Sequence, residues 1–488
     1  MSVATPPPSS PNGLMALERQ VHKDLQTIEV PLRSWVPERL DNQGRAIADV
    51  VVVGAGLSGL AIAFGLYRQG ITRTMVLDAA EAGREGPWVT SARMRTLRSP
   101  KTMTGPDLGV PSLTYRAWHE ASYGEASWEG LDLIDRHDWM AYLGWFRRVV
   151  GIDVLSGTRL MGLSGSGRDV IAQIEGAGGR SSISARKLVL ATGIEGAGGA
   201  HVPQAFVGTL PRDRWSHSAE VVDIAHVADK DVGVIGAASS SFDWAVAALE
   251  AGARTVTILA RSAEMPVTEI LDWSNFPGFL NNFAELDDER RYAFTKRMLA
   301  FKTPPTVEMY TRAMSAPNAT LVTGAAVKAA RMDDDRIRVE TTRGDHVFDH
   351  LLFGTGYALD MHRRPELAGI VDLIATWGDR MQATAEDEDN EVLRYPYLGP
   401  GFELTEKQPG TVSWLHNIHL FNNGAVPSMG PVCNGLTGLK SGVPRLVSRI
   451  SRDLFIEDAD QHYRSLDQYR KAHFAPPPHL LPQSGEAR

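Results

Sequence analysis

The hydrophobic pattern of the chain is clearest between residues 49 and 78. An uninterrupted apolar run at residues 50–53 is typical of a buried parallel strand, and residues 60–67 then follow helical spacing up to Gly70. A second apolar run at residues 75–77 completes the order strand, helix, strand. This order predicts a βαβ unit whose two strands lie parallel in one sheet.

The same pattern returns between residues 231 and 261. Apolar residues 232–235 predict a strand, residues 242–251 a helix, and residues 256–259 the next strand. A repeat of this kind within one chain indicates two units of similar architecture. The sequence therefore predicts an α/β fold with two Rossmann-like units.

Weaker patterns predict the remaining elements. They are buried strands at 186–193 and 347–360, helices at 14–28 and 132–150, and a polar helical insertion at 272–303. The segment 83–124 is long and lacks clear periodicity, but it contains several aromatic residues. Long segments of this kind are often functional, so we expect an ordered region without regular elements.

Composition and charge narrow the class of protein. The chain has 488 residues, of which 43% are hydrophobic and 22% charged, as in globular proteins with more than one domain. The net charge of −8 argues against a nucleic-acid surface. No stretch reaches the roughly 20 apolar residues that cross a membrane, and the start lacks signal-peptide features. The single cysteine, Cys433, excludes an internal disulfide, so we expect a cytoplasmic protein.

A glycine-rich turn joins the first strand and helix of the first unit. Gly54 permits a tight turn, Gly56 lets the backbone approach a pyrophosphate, and Gly59 lets the helix pack closely on the strand. Ser58 lies in the same turn, where the free N–H groups of the helix favour a phosphate. Asp78, at the end of the second strand, is placed to accept hydrogen bonds from a ribose diol. The first unit is therefore predicted to bind a dinucleotide.

The second unit differs at two chemically informative places. Its turn begins at Gly236 and places Ser239, Ser240 and Ser241 at the start of the helix. Its second strand ends at Arg261 instead of at an acid, and a guanidinium there suits the 2′-phosphate of NADP(H). A solvated arginine at a strand end has the same sequence pattern and stays an alternative. Because two units imply two nucleotides, the simplest pairing is FAD in the first unit and NADPH in the second.

These motifs together resemble those of the flavin-dependent monooxygenases with two dinucleotide-binding domains, which include N-hydroxylating, flavin-containing and Baeyer–Villiger groups. The resemblance covers residues 49–454. It depends on GAGLSG at Gly54, LATG at Leu190, GAASSS at Gly236, FGTGY at Phe353 and the linker sequence WSHS around His217.

The resemblance implies a division of the chain into domains. The divisions are an N-terminal tail and helix at 1–44, a FAD-binding domain at 45–218 and 346–470, an NADPH-binding domain at 225–345 with a helical cap or substrate insertion at 265–312, and a C-terminal tail at 471–488. The fold class is thus α/β with two dinucleotide-binding domains and a small helical insertion.

Within that superfamily the chain is most similar to the N-hydroxylating monooxygenases of ornithine and lysine. The resemblance implies that Met94 faces the flavin and that Lys101 anchors the substrate. Trp88 is a candidate for stacking on the flavin, and Asn282 for binding a polar substrate through its amide. Three further residues are assigned to the cofactor sites: Gly356, Asn434 and Leu436.

Two departures from that group bear on the substrate. Asn434 stands where the group has His, and Pro304-Pro305 stand where it has Asn-Tyr, so an expected amide for NADP and substrate is missing. Another small, polar, nitrogen-containing molecule is therefore an alternative to ornithine or lysine. A urate-type heterocycle is one candidate, because a flavoprotein urate hydroxylase group is similar in architecture.

The resemblance also implies a reaction. NADPH reduces FAD, O2 forms a C4a-(hydro)peroxyflavin, and one oxygen atom passes to the substrate by N-hydroxylation or heterocycle hydroxylation. The expected partners are a small-molecule substrate and O2, without nucleic acid or membrane, and an oligomer is open. Two alternatives stay open at this stage: an NADPH-dependent flavoprotein reductase without oxygen insertion, and a flavin-binding sensor.

Overall fold

The computed structural model describes residues 11–203, 206, 208, 210–381, 387–388, 390–433, 435–475 and 477–480. Its helices are, in chain order, α1 (Pro11–Thr27), α2 (Leu57–Arg68), α3 (Tyr115–Tyr123), α4 (Glu125–Gly130), α5 (Arg136–Val149), α6 (Ser239–Glu250), α7 (Ile270–Ser274), α8 (Pro277–Asn282), α9 (Asp288–Leu299), α10 (Val307–Met314), α11 (Trp377–Arg380), α12 (Val426–Met429), α13 (Leu436–Glu457) and α14 (Ala459–Asp467). Its strands are β1 (Ala48–Val53), β2 (Thr74–Leu77), β3 (Thr96–Pro100), β4 (Leu133–Asp135), β5 (Val154–Leu155), β6 (Arg159–Ser166), β7 (Asp169–Gly176), β8 (Gly179–Leu190), β9 (Gly198–Ala200), β10 (Trp215–His217), β11 (Asp231–Ile235), β12 (Thr255–Leu259), β13 (Ala319–Val322), β14 (Val327–Asp333), β15 (Arg336–Thr341), β16 (Gly344–Phe348), β17 (His350–Phe353), β18 (Tyr357–Leu359) and β19 (Ile418–Leu420).

The first sheet has the strand order β5-β2-β1-β8-β7-β6, with β19 beside the carboxyl end of β8. β1 lies parallel between β2 and β8, with Val53 opposite Leu77 on one side and Leu190 on the other. All of β1 is buried, as expected for a central strand of a parallel sheet. The first half of β8 instead pairs antiparallel with β7, and β7 pairs with β6.

The second sheet repeats this plan. Its order is β10-β17-β11-β12-β13, and its neighbouring strands are parallel. The second unit also contains a separate antiparallel sheet, β14-β15-β16. In the first unit the corresponding antiparallel strands, β6, β7 and the first half of β8, continue the main sheet. The predicted α/β fold with two Rossmann-like units is therefore confirmed.

Two strands lie in a different unit from the one that the sequence assigned. The predicted first domain, residues 45–218 and 346–470, includes β10 and β17, but these strands pair with each other, and β17 also pairs with β11. The ladder places Val234 opposite Leu352 in the second sheet. The chain therefore crosses between the units just before β10 and just after β17. The two crossing segments contain β9 and β18, which pair antiparallel.

Two predicted segments differ in local structure. The stretch 132–150, predicted as one helix, contains β4 followed by α5, because Asp135 ends the strand and caps the helix by accepting the His137 N–H at 2.7 Å. The segment 83–124, predicted to lack regular elements, contains β3 and α3. Thr114 caps α3 by accepting a backbone N–H. Capping residues of this kind start a helix without any change in the hydrophobic pattern, so the pattern alone did not predict these helix starts.

The helical insertion packs into the core of the first unit. Phe279 and Phe283 of this region are buried in the same cluster as β1 and α13. On α9, Arg291 donates to the Ser428 carbonyl at 3.0 Å, and its guanidinium lies 5.1 Å from the Trp377 ring centroid. α10 packs instead against α6 of the second unit. The insertion thus contacts both units.

The ends of the chain are only partly described. The predicted N-terminal helix is confirmed as α1, which packs on α3. Residues 1–10 and 481–488 of the predicted tails lie outside the described residues. In the part of the chain that the structure covers, no helix has both the length and the apolar character needed to cross a membrane.

Candidate active site

The glycine-rich turn after β1 has the close packing that its sequence predicts. Gly54 has φ of +104°, and a Cβ atom there would lie 2.4 Å from the Ala191 carbonyl oxygen. A Cβ atom on Gly59 would lie 1.7 Å from the Gly54 carbonyl oxygen. At Gly56 the nearest atom would be Gly86 Cα, at 4.0 Å. The protein's own packing therefore requires Gly54 and Gly59, whereas Gly56 leaves open space in front of α2.

The start of α2 presents free N–H groups to this space. Gly56 is its N-cap and provides no side-chain hydrogen bond, and Ser58 lies half-buried in the first turn. Asp78, at the end of β2, accepts hydrogen bonds from the N–H groups of Ala55 and Ala80, both at 2.7 Å. Asp78 thus holds the glycine-rich turn in place. Its contact with a ribose stays a prediction.

A cavity of about 700 Å³ opens beside this turn. Its wall includes Ala55, Gly83, Glu85, His137, Met140 and Arg147. Glu85 is buried, accepts the Gly83 N–H at 2.8 Å, and pairs with Arg147 at 3.0 Å. The volume is within the range of about 300–1,000 Å³ that is usual for ligand sites. Sequence reasoning missed the Glu85–Arg147 pair, because only the fold brings α5 against the loop after β2.

The turn after β11 repeats the geometry of the first. Gly236 has φ of +113°, and a Cβ atom there would lie 2.7 Å from the Gly354 carbonyl oxygen, which also accepts the Ser241 hydroxyl at 3.2 Å. Ser240 is half-buried. Ser239 is 3% exposed, and its Oγ has no hydrogen-bond partner within the described residues. A buried, unpaired hydroxyl at the start of a helix is suited to donate to a phosphate.

The edge of the second unit beside β12 carries several basic side chains. Arg261 follows β12 and is exposed. Burial, and then the positive charges of Arg363 and Arg261, lower the pKa of His201. Arg363 is held against β9 by its hydrogen bond to the Ala200 carbonyl at 2.8 Å. Positive charge at this edge suits the additional phosphate of NADP(H).

Gly356 and His217 lie at the connection between the two units. Gly356 has φ of +76° and open space around it, so its backbone conformation, and not close packing, favours glycine. The His217 Nδ1 atom accepts the Ala219 N–H at 3.0 Å, and burial lowers the pKa of His217 to about 4. A neutral, buried ring is consistent with the linker role that the sequence indicates for His217.

Two of the predicted flavin-facing residues, Trp88 and Leu436, pack in one hydrophobic cluster of the first unit. The Trp88 ring meets Trp139 edge-on, with 6.3 Å between centroids. Leu436 is buried at the start of α13 in the same cluster as Trp139, and Met94 is half-buried. Asn434 lies outside the described residues. Contact of these side chains with a flavin stays a prediction.

Lys101 is engaged by the protein itself. Its Nζ donates to the carbonyls of Trp128 at 2.7 Å, Leu131 at 2.5 Å and Glu129 at 3.4 Å, and it lies 5.0 Å from the Trp128 ring centroid. These carbonyls lie at the carboxyl end of α4, where a cation is favoured by the helix dipole. An ammonium has three donors, so a substrate contact requires at least one of these bonds to break. The substrate role of Lys101 stays a prediction.

Asn282 is exposed at the end of α8. Its Nδ2 donates to the Gly278 carbonyl one turn earlier, at 2.9 Å. The neighbouring Asn281 carbonyl accepts from Arg445 of α13 at 2.6 Å, and Arg445 also pairs with Glu285 at 2.7 Å. Arg445 thus attaches the insertion to α13. The predicted substrate contact of Asn282 stays a prediction.

Both turns fit a dinucleotide by the chemistry of their donors. Each has a glycine with positive φ and a helix that begins without a side-chain cap. The first offers space at Gly56, and the second offers the unpaired Ser239 hydroxyl. Among the described residues, no group of His, Cys, Asp and Glu is arranged to hold a metal ion.

Comparison of the amino-acid sequence with known proteins gives one match to a family model and one to an individual protein. The pyridine nucleotide-disulphide oxidoreductase family model matches residues 48–272, which include both glycine-rich turns. The FAD-dependent urate hydroxylase of Xanthomonas campestris pv. campestris is 37% identical over 462 residues, which cover 95% of this chain and 97% of that protein. The second match extends through the insertion and the closing helices.

Solved structures with this fold include N-hydroxylating enzymes. The reduced form of the ornithine hydroxylase of Pseudomonas aeruginosa has a TM-score of 0.64 at 14% identity, covering 84% of this chain and 100% of that chain. The ornithine N-hydroxylase of Kutzneria sp. 744, with reduced FAD, NADP+ and L-ornithine, has a TM-score of 0.64 at 16% identity, covering 83% and 99%. The L-lysine 6-monooxygenase of Pseudomonas syringae has a TM-score of 0.61 at 18% identity, covering 83% and 99%. At these identities the likeness is one of fold.

Proposed function

The chain belongs to the family of FAD-dependent flavoprotein monooxygenases that contains the Xanthomonas urate hydroxylase, and we propose that its substrate is a small, nitrogen-rich heterocycle of the urate type. The observation that carries the proposal is the 37% identity over 95% of this chain and 97% of that relative. This match includes the insertion and α13, which lie outside the two nucleotide-binding turns. It therefore includes the insertion, which the sequence predicts to cap the substrate.

FAD is the cofactor of the first unit. The free N–H groups at the start of α2 face the open space at Gly56, where a pyrophosphate fits, and Ser58 lies beside it. Glu85 and Arg147 form the wall of the adjoining cavity. When bound, FAD accepts a hydride and, once reduced, activates O2. The chain's own residues bind and orient it.

NADPH is the reductant bound by the second unit. We assign the pyrophosphate to the Ser239 hydroxyl and to Ser240 at the start of α6, and the 2′-phosphate to Arg261. The Ser239 N–H is already engaged, because it donates to the Thr303 carbonyl at 3.0 Å. Ser241 is not available in the same way, because its hydroxyl donates to the Gly354 carbonyl at 3.2 Å. The balanced reaction consumes substrate, O2, NADPH and a proton, and forms the hydroxylated product, NADP+ and water.

The sequence of the insertion favours a heterocyclic substrate over ornithine or lysine. Pro304 and Pro305 stand where the N-hydroxylating group has Asn-Tyr, and proline has neither a side-chain amide nor a backbone N–H to donate. An amino-acid substrate would therefore lose a donor for its polar groups. A flat heterocycle with several ring nitrogens can use backbone carbonyl and amide groups for both donation and acceptance.

Disulfide reduction is excluded by the cysteine content, although the matched family model includes disulfide oxidoreductases in its description. Cys433 is the one cysteine of the chain. It is buried, and burial raises the pKa of its thiol well above the ordinary value. A dithiol cannot form, and the remaining thiol is held in its unreactive protonated state.

The test is turnover with isotopically labelled O2. We expect purified protein to be yellow with FAD, NADPH to bleach the flavin, and urate to yield a product that carries one labelled oxygen atom. Ornithine and lysine are the controls and are expected to cause NADPH oxidation without a labelled product. A labelled hydroxylamine from either amino acid, with only peroxide released in the presence of urate and related heterocycles, would overturn the proposal.

A further inference from the structure

An arginine-rich segment of the first unit, residues 93–98, reaches across to α6 of the second. Arg93 donates a hydrogen bond to the Val222 carbonyl. Its guanidinium lies 5.2 Å from the ring centroid of Trp244, which is 2% exposed. The segment therefore packs along the helix that begins with the predicted phosphate-binding serines.

Two further arginines of this segment form ion pairs that differ in burial. Arg95 pairs with Glu250 at 3.0 Å, and their side chains are 40% and 45% exposed. Arg98 pairs with Asp243 at 2.7 Å; the Arg98 side chain is 34% exposed, but the Asp243 side chain is only 8% exposed. Exposed pairs contribute little, whereas a buried carboxylate that loses its partner is strongly disfavoured. Of the two ion pairs, Arg98–Asp243 is therefore the one that contributes most to holding α6 against the segment, beside the packing of Arg93 on Trp244.

The place of this pair in the fold connects the two nucleotide sites. Asp243 lies in the second turn of α6, whose first turn contains Ser239 and Ser241. A carboxylate there opposes a bound phosphate electrostatically, and Arg98 compensates this charge. On the other side, Arg98 belongs to the same short segment as Met94, which is predicted to face the flavin.

We propose that Arg98 is a positioning residue for hydride transfer: through Asp243 it holds the NADPH-binding helix at a set distance from the flavin-facing segment. The inference rests on the proposed binding of NADPH at α6. Two crossing segments, which include β9 and β18, join the units, and the helical insertion contacts both units. The Arg98–Asp243 pair adds a direct ionic contact between the flavin-facing segment and α6 itself. Hydride transfer depends steeply on the relative position of this segment and α6, since a displacement of about 1 Å can cost on the order of 100-fold in rate.

The experiment compares R98Q with R95Q as holoenzymes, by stopped-flow reduction of bound flavin. In R98Q we expect the limiting rate of reduction by NADPH to fall about 10- to 100-fold, with FAD content and reduction by dithionite unchanged. R95Q is the matched control, because it removes an exposed pair on the same helix, and its rate is expected to stay within about twofold of wild type. R98K keeps the charge and is expected to fall between them.

A second variant separates charge from position. R98Q is also expected to raise the KM for NADPH, because the Asp243 carboxylate then opposes the bound phosphate without compensation. In R98Q/D243N this carboxylate is gone, so the KM for NADPH is expected to return toward the wild-type value. The limiting rate of reduction should stay low, because the ion pair that positions α6 against the flavin-facing segment is still missing. A general loss of structure would instead change both quantities alike.

An R98Q enzyme whose flavin is reduced at the wild-type rate would overturn the inference while leaving the proposed function intact. So would an R95Q enzyme as slow as R98Q. Wild-type flavin that NADPH does not bleach would contradict the proposed function itself. If R98Q does not accumulate as folded protein, R98K decides the question, and a wild-type rate in R98K together with an unchanged KM overturns the inference.

Discussion

At the scale of single residues, the glycines of the first turn have different structural roles. A side chain on Gly59 would collide with the Gly54 carbonyl, with Cβ at 1.7 Å, whereas one on Gly56 would meet only Gly86 Cα at 4.0 Å. The sequence motif assigns a different role to each of the three glycines. In the structure, packing requires Gly54 and Gly59, and Gly56 leaves space for a ligand.

This difference predicts opposite results for two alanine substitutions. G59A is expected to lower the free energy of unfolding of the apoprotein by about 1–3 kcal/mol through overpacking. G56A is expected to leave that free energy nearly unchanged and to weaken FAD binding about tenfold, because the added methyl occupies the space for the pyrophosphate. Urea denaturation and quenching of flavin fluorescence measure the two quantities. Equal effects of the two variants on both measurements contradict the assignment.

Arg261 provides a second test at this scale. R261A is expected to raise KM for NADPH much more than KM for NADH, by the equivalent of about 1–3 kcal/mol for a lost charge-assisted contact. R180A is the control, because Arg180 is an exposed arginine of the first unit. Steady-state kinetics with both nucleotides measure the effect. An equal rise for NADPH and NADH argues against a 2′-phosphate role.

At the scale of elements, basic side chains fix the positions of helices by donating hydrogen bonds to backbone carbonyls. The carboxyl end of α4 is held by Lys101 through three carbonyls. The insertion is held by Arg291 on one side and by Arg445 on the other. These anchors come from residues distant in sequence, so the period of the local pattern does not reveal them.

Replacing Lys101 therefore tests whether its main role is structural. In K101M we expect the free energy of unfolding to fall by about 1–3 kcal/mol, because three carbonyls at the end of α4 lose their charged donor. K302M is the matched control, since Lys302 donates to a single carbonyl, that of Leu299, at 3.1 Å, and its loss should matter less. KM for the substrate is expected to be unchanged in both variants. A large rise in this KM with normal stability would support the predicted substrate contact.

At the scale of the whole molecule, two similar units pack around buried polar groups. Burial lowers the pKa of His217 to about 4 and those of His350 and His419 to about 3. An unfolded histidine binds a proton near pH 6.5, so these neutral rings contribute stability above that pH, and the contribution is lost as the pH falls toward their folded values. Burial raises the pKa of Asp49 to about 6, which acts in the opposite direction between pH 6 and 4.

Stability is therefore expected to fall on mild acidification. Between pH 7 and pH 5, each of these histidines should lower the free energy of unfolding by roughly 2 kcal/mol. H419N removes one of them and should make the pH dependence shallower. H22Q, at an exposed position on α1, should not change it. Urea unfolding at the two pH values measures the difference, and an unchanged slope in H419N contradicts the prediction.

How far the sequence predicted the site depended on the distance between the residues concerned. Gly54, Gly56 and Asp78 belong to one βαβ unit, so spacing and residue type were enough to place them. Lys101 and Asn282 were assigned by resemblance alone, and the structure provides each with a partner inside the protein. The strands β10 and β17 were placed in the wrong unit, because a strand's hydrophobic run does not state which sheet it joins.

The amino-acid sequence by itself determined the two dinucleotide-binding units and the chemistry at their turns, because those features depend on contacts within about thirty residues. Only the tertiary structure decided how the units are joined. Arg98 and Asp243 are 145 positions apart in the chain, and nothing local to either predicts that they meet. The physical reason is that a partly buried ion pair between two units is specified by the packing of those units against each other, and this packing is a property of the whole fold.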